Sequence, residues 1–155
     1  MQDDLQLSQH FRLSEFTVSQ AATRAGLRND PSSKHVENLR RLAGVMEQVR
    51  QLLGQPIFIS SGYRSPAVNA VVGGALASAH MRGLAADFTS PAFGSPLKIC
   101  RLIADSTVAF HQLVHEGAWV HLGLADGDSG TWRREVLTAF FEAGASPRYM
   151  RGLIG

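Results

Sequence analysis

Hydrophobic residues recur at helical spacing through much of the first two thirds of the chain. The longest pattern starts at Ser32 or Ser33, either of which can cap a helix, and stops at Gly54. Its apolar stripe consists of residues three or four positions apart, namely Val36, Leu39, Ala43, Met46, Val49 and Leu53. This stretch therefore predicts a long helix with one buried face.

Three shorter stretches also have a helical pattern. LSEFTVSQAATRAGL predicts a short helix that is capped near Ser19 and ends at Gly26, and AVNAVVGG predicts a brief helix with a glycine stop. In SPLKICRLIADS we expect Ser95 to be the cap and Pro96 to be the first helical residue.

Short runs rich in β-branched and aromatic residues predict strands, most of them in the last third of the chain. They are PIFIS, LAADF, QLVHE, WVHLGL, REVLTAFF and RYMRGL. The segment ADGDSG, residues 125–130, predicts a hairpin turn between two of these strands. Helices followed by a meander of strands predict a small α+β fold, with the helices packed on one face of an antiparallel sheet.

Composition narrows the class of protein. A length of 155 residues with 45% hydrophobic content predicts one domain, residues 1–155. The net charge of +2 and the scattered arginines argue against a nucleic-acid partner.

The polar, acidic start MQDDLQLSQHF is not a secretory signal, and no stretch approaches the ~20 apolar residues of a membrane span. Cys100 is the single cysteine, so an internal disulfide is excluded, and its apolar surroundings predict a buried, unreactive thiol.

The segment SAHMRGLAADF, residues 78–88, carries the first chemical signal. Seven residues of regular helix would separate His80 from Asp87 by about 10 Å, whereas zinc ligand atoms lie roughly 2 Å from the ion. Gly83 allows the chain to bend back between them. With that bend, His80 and Asp87 are candidate ligands of one metal ion.

The strand WVHLGL supplies a candidate third ligand. Alternation directs Val120, Leu122 and Leu124 into the core, while His121 points the other way with Trp119, an aromatic wall that we expect to contact substrate. Two histidines and one carboxylate form a catalytic zinc pattern that leaves a position open for water.

A general base for that water is expected nearby. Glu116 is the nearest carboxylate to His121 in sequence, but an unbroken strand would put His115 on the ligand face, unless Gly117 reverses the parity. Both remain candidates, with Glu116 preferred. Arg64, in SGYRSP, is a candidate partner for a substrate carboxylate or developing oxyanion, and Ser78 either binds substrate or closes a local turn.

SGYRSPAVNAVVGGALASAHMRGLAADF followed by WVHLGL resembles the zinc D-alanyl-D-alanine carboxypeptidase family, the M15 peptidases. The shared marks are a Tyr-Arg segment, then Ser-x-His-x-x-Gly-x-Ala-x-Asp, then Trp-Val-His on a late strand. FRLSEFT and REVLTAFF…RYMRGL are similar to the branch found in phages, prophages and bacterial genomes. The resemblance implies the fold of these peptidases, which the hedgehog signalling domain shares.

The resemblance also implies roles for individual residues. His80, Asp87 and His121 would hold zinc, Arg64 would steady the substrate carbonyl or carboxylate, and Ser78 would line the substrate pocket. The base lies shortly before the last histidine at an offset that varies; some branches carry it three positions earlier, where this chain has Ala118.

The activity implied is hydrolysis of peptide bonds in the stem peptide of bacterial peptidoglycan, either as a D-Ala-D-Ala carboxypeptidase or as an endopeptidase of the endolysin type. Without a signal peptide, such an enzyme would be made in the bacterial cytoplasm and reach the wall by phage-type release or as part of a virion, with virion components as partners. The alternative is a non-catalytic, zinc-containing module of the same fold that binds the wall or builds the virion. A third reading treats the histidines and the aspartate as purely structural.

Overall fold

A computed structural model describes residues 4–127 and 133–155. Each predicted helix forms, although the first is divided in two. The helices are α1 (Leu13–Thr17), α2 (Gln20–Ala25), α3 (Ser33–Leu53), α4 (Pro66–Val71) and α5 (Pro96–Ala104), with a 3-10 turn at Ala79–Arg82.

Polar caps fix the helix ends at the expected residues. The side chains of Ser19, Ser32 and Ser95 accept hydrogen bonds from backbone N–H groups in the first turns of α2, α3 and α5. Gly26 and Gly54 end α2 and α3 in the left-handed conformation, which glycine adopts without steric cost. The helix predicted for residues 13–27 is interrupted at Val18, which is extended, so α1 and α2 are separate.

Within the described residues, six strands form one sheet. They are β1 (Phe58–Ser61), β2 (Ala85–Thr89), β3 (Gln112–His115), β4 (Val120–Gly123), β5 (Glu135–Phe140) and β6 (Arg148–Arg151), in the order β1-β2-β4-β3-β5-β6. All neighbouring strands are antiparallel except β3 and β5, which are parallel. The α+β class is confirmed, with a mixed and mostly antiparallel sheet.

The strand order corrects one detail of the expected meander. A hairpin across residues 125–130 would pair β4 with β5, but β4 lies between β2 and β3, and β5 pairs with β3. The reason is that both edges of β4 are already hydrogen-bonded, so the chain must cross to the free edge of β3. Residues 128–130 of the predicted turn lie outside the described residues.

The core lies between the helices and one face of the sheet. Residues of α3 and α5 pack there with Phe88, Leu113, Val120 and Leu122, all fully buried. Cys100 is also buried in this core, and burial raises the pKa of its thiol to about 12, as expected for an unreactive cysteine. Among the described residues, no helix combines the length and apolar character needed to cross a bilayer.

Candidate metal centre

The pairing of β2 with β4 places the aspartate beside the second histidine. Asp87 lies directly opposite His121, and their neighbours Ala86 and Leu122 form the next pair. Directly opposed residues project to the same face of an antiparallel pair. Ala86 and Leu122 belong to the core, so Asp87 and His121 project from the opposite face.

His80 reaches the same place from the 3-10 turn that precedes β2. The hydroxyl of Ser78 accepts a hydrogen bond from the backbone N–H of His80 at 3.2 Å, and Gly83 ends the turn with φ of 72°. A Cβ at Gly83 would lie 2.8 Å from the carbonyl oxygen of His35, so both the conformation and the space require glycine. The bend predicted at Gly83 is therefore present.

The three side chains converge on one carboxylate oxygen. Oδ1 of Asp87 lies 3.3 Å from Nε2 of His80 and 2.9 Å from Nδ1 of His121. Possible ligand atoms of all three residues lie within 4.8 Å of one another. Ligands placed tetrahedrally around zinc at about 2.0–2.1 Å are separated by roughly 3.3 Å, so these spacings match a shared cation.

The protonation state of His80 also suits a metal. Its Nδ1 donates to the carbonyl oxygen of Gly62 at 2.7 Å, which leaves Nε2 as the unprotonated nitrogen of the neutral ring. Nε2 is buried and makes no hydrogen bond within the part of the chain that the structure describes. Burial lowers the pKa of His80, although the Asp87 carboxylate opposes this shift.

Asp87 supplies the negative charge of the cluster. Burial by itself would raise the pKa of Asp87, but the hydrogen bond from His121 and the nearby imidazole of His80 hold it well below its usual range. Nδ1 of His121 donates to Oδ1 of Asp87 in this arrangement, and a cation in place of that proton would contact both atoms. Two imidazoles and one carboxylate are a donor set that zinc favours, so the cluster fits this metal.

Arg64 lies beside the cluster, in the loop that follows β1. Its Nη2 is 4.0 Å from Oδ2 of Asp87, and the side chain is mostly buried. The backbone N–H of Arg64 donates to the carbonyl of His80 at 3.0 Å, which ties the loop to the 3-10 turn. Its Nη1 donates to Oδ1 of Asn69 at 3.1 Å, so this guanidinium is held in place from two directions.

The residues that organise the Arg64 loop were not found from the sequence. Asn69, on α4, is buried and also donates to the carbonyl of Ala75. Asn29 donates to the Tyr63 carbonyl and accepts from the N–H of Ser65, which fixes the loop on both sides of Arg64. The spacing of Asn29 and Asn69 from Arg64 along the chain follows no recognisable motif. The Gly62 carbonyl that orients His80 is a backbone group, so no residue type in the sequence marks it.

The hairpin between β3 and β4 decides which face Glu116 occupies. His115 pairs with Val120, and Val120 is part of the core, so His115 projects from the side opposite the cluster. The N–H of Glu116 donates to the carbonyl of Trp119 at 3.0 Å, and Gly117 turns the chain with φ of 80°. Glu116 is thus the residue that follows on the face of the cluster.

The electrostatic surroundings of Glu116 agree with this position. Burial raises the pKa of its carboxyl, as does the charge of Asp87, whereas His121 and Arg64 lower it. The carboxylate therefore experiences the charges of the cluster and of Arg64 together.

An open cleft of about 820 Å³ adjoins the cluster. Residues of α1 and the start of α2 line one wall, and residues 58–64 line the other. Asp87, Arg64 and Trp119 also line this cleft. Ser78 instead has its hydroxyl engaged in the 3-10 turn, and its contact with substrate remains a prediction.

Comparison with known proteins identifies the family. No curated protein matches the chain. The family model described as Peptidase M15 matches residues 9–123, a span that includes Arg64, all three clustered residues and Glu116. The resemblance to the M15 peptidases inferred from the sequence is confirmed, and the chain belongs to the peptidase M15 family.

Proposed function

We propose that this protein is a zinc metallopeptidase that hydrolyses peptide bonds in the stem peptide of peptidoglycan. Membership of the peptidase M15 family indicates a metallopeptidase. The observation that carries the proposal is the convergence of His80, Asp87 and His121 beside an open cleft, with a mostly buried arginine and a partly buried glutamate around them.

In this proposal His80, Asp87 and His121 hold the zinc. When bound, zinc supplies a Lewis acid that polarises the scissile carbonyl and brings the pKa of a water toward neutrality. The Gly62 carbonyl keeps His80 in the tautomer that a metal requires, because it accepts the proton of Nδ1.

Glu116 is proposed as the general base. It lies on the face of the cluster, and its raised pKa brings the carboxylate closer to the range in which a base works near neutral pH. It would take the proton from the attacking water and then return it to the leaving amine. His115 projects from the other face, which disfavours it for this role.

Arg64 is proposed to bind the oxygen on which negative charge develops. A guanidinium donates in a fixed planar arrangement, and the hydrogen bond to Asn69 orients it before substrate binds. Trp119 lines the cleft and would pack against the peptide. Ser78 would contact the substrate through its hydroxyl, which also accepts the hydrogen bond from the backbone N–H of His80.

The bond cleaved is proposed to lie in the stem peptide, as a terminal D-Ala-D-Ala bond or an internal bond. The polar and apolar groups of the cleft suit a peptide, and the net charge of +2 provides no strong attraction to nucleic acid. The proposed place of action is the bacterial cell wall, reached by phage-type release or as part of a virion.

The test is incubation of purified muropeptides with zinc-loaded protein, followed by mass spectrometry of the products. A product that lacks a terminal D-alanine would identify a carboxypeptidase, and an internal cut would identify an endopeptidase. Glu116→Gln is the catalytic control, and His115→Gln is its matched partner on the other face of the sheet. If zinc is bound and no muropeptide is cleaved, the proposal is wrong and the non-catalytic wall-binding or virion module is favoured.

A further inference from the structure

Tyr149 lies on β6, beyond residues 9–123 that the family model covers. Its partner on β5 is Ala139, two residues beyond Leu137. Leu137 pairs with Val114, and Val114 pairs with His121. Because side chains alternate along a strand and agree across a pair, Tyr149 projects from the face that carries the metal cluster.

Tyr149 and Glu116 occupy one row across the sheet. The parallel ladder ends where His115 pairs with Thr138, and continuing its register by one residue brings Glu116 next to Ala139, the partner of Tyr149. Two strand spacings of about 4.8 Å put the backbones of Glu116 and Tyr149 roughly 10 Å apart. Ala139, the residue between them in this row, has a side chain of one methyl group, which leaves space for the tyrosine ring on the side of the glutamate.

The charges around Tyr149 agree with this geometry. Burial raises the pKa of its phenol, and the negative charges of Glu116 and Asp87 raise it further. The hydroxyl is therefore protonated at neutral pH and can donate a hydrogen bond. About half of the residue is exposed, so the side chain is accessible from solvent.

We propose that Tyr149 is a substrate-binding residue, whose hydroxyl donates a hydrogen bond to a carbonyl oxygen of the bound peptide on the β6 side of the metal centre. The inference rests on the proposed peptidase function. Arg64 follows β1 at one end of the strand order, Tyr149 lies on β6 at the other, and β2 and β4 with the ligands lie between them. The two donors would thus hold the peptide from opposite sides of the cluster.

The experiment compares Tyr149→Phe with Met150→Leu on the zinc-loaded protein, with a muropeptide that the unmodified protein cleaves. Tyr149→Phe removes only the hydroxyl. Met150 pairs with Thr138 and projects from the other face, so its substitution is the matched control. A neutral hydrogen bond to substrate predicts a KM about three- to tenfold higher for Tyr149→Phe, with kcat within about twofold. Met150→Leu should change neither constant.

Binding without turnover provides a second readout. In a Glu116→Gln background, adding Tyr149→Phe should weaken muropeptide affinity by the same factor of about three to ten, as measured by calorimetry. Zinc content and melting temperature should stay unchanged, since the hydroxyl supports neither the cluster nor the core.

Three results would overturn the inference. The first is an unchanged KM and affinity. The second is a loss confined to kcat, which would assign Tyr149 to the positioning of Glu116. The third is a fall in zinc content or melting temperature. Failure of the proposed function has a different signature. In that case the unmodified protein cleaves no muropeptide, and the assignment of Tyr149 is lost with it.

Discussion

The two faces of strand β4 differ in what they contribute. Val120 and Leu122 are fully buried against the helices, and α5 packs directly on this part of the sheet. One residue away, His121 projects from the other face toward Asp87 and His80. Residues that stabilise the fold therefore alternate with the candidate metal ligand along this strand, because successive side chains of a strand point to opposite faces.

This separation is possible because the two faces use different interactions. The core face stabilises the fold because it removes apolar area from water. This contribution depends little on the exact direction of each side chain. The cluster face depends on a few atoms held at 2.7–3.3 Å from their partners. Substitutions on the two faces should therefore affect different measurements.

The largest effect on activity is expected from His121→Ala. Loss of a ligand should abolish stoichiometric zinc binding and nearly all turnover, by more than the roughly 10–100-fold cost of losing a group that only orients a ligand. Metal analysis and muropeptide turnover are the measurements. Retention of both zinc and activity would contradict the assignment of the cluster.

Glu116→Gln comes next and tests the face assignment within the hairpin. Removal of a general base should lower kcat by about 10²–10⁴-fold while zinc remains bound. His115→Gln should leave kcat close to that of the unmodified protein, since this side chain lies on the other face. The opposite ranking of the two variants would show that the base is His115.

Arg64→Ala should lower kcat by about 10²–10³-fold, the cost of losing one donor to a developing oxyanion. Asn69→Ala should have a smaller effect in the same direction, because it releases the guanidinium from its hydrogen bond but leaves the charge. Steady-state kinetics on one muropeptide provides both values. If Asn69→Ala costs as much as Arg64→Ala, the asparagine has a role beyond orienting the arginine.

Leu122→Ala should have the smallest effect on activity and a large effect on stability. Truncation of a fully buried leucine should lower the free energy of unfolding by about 2–5 kcal/mol, as measured by denaturant titration. Zinc content and kcat of the folded protein should remain unchanged. A parallel loss of zinc would mean that the two faces of β4 are coupled.

Local sequence patterns were sufficient for most elements. The serine caps and the glycine stops act within one or two helical turns, and the apolar stripe of α3 repeats every three or four residues, so the residues themselves determine these features. The pairing of β3 with β5 was not predictable, because strands far apart in sequence find their neighbours only through the packing of the whole sheet.

The ligand candidates likewise followed from the sequence. The spacing of His80, Gly83 and Asp87 requires a bend, and alternation in WVHLGL directs His121 away from the core; both are local rules of backbone geometry. The choice between Glu116 and His115 was left open by the sequence, since one turn at Gly117 determines the parity.

Tertiary structure alone decided how the side chains of the site are held. The Gly62 carbonyl that orients His80, the Asn69 amide that holds Arg64, and the position of Tyr149 in the row of Glu116 all join segments distant in the chain. Such contacts depend on the register of several strands at once. The sequence by itself thus determined the elements and the residue types of the cluster, while the fold determined their distances, because distances between remote segments are set only when the chain packs.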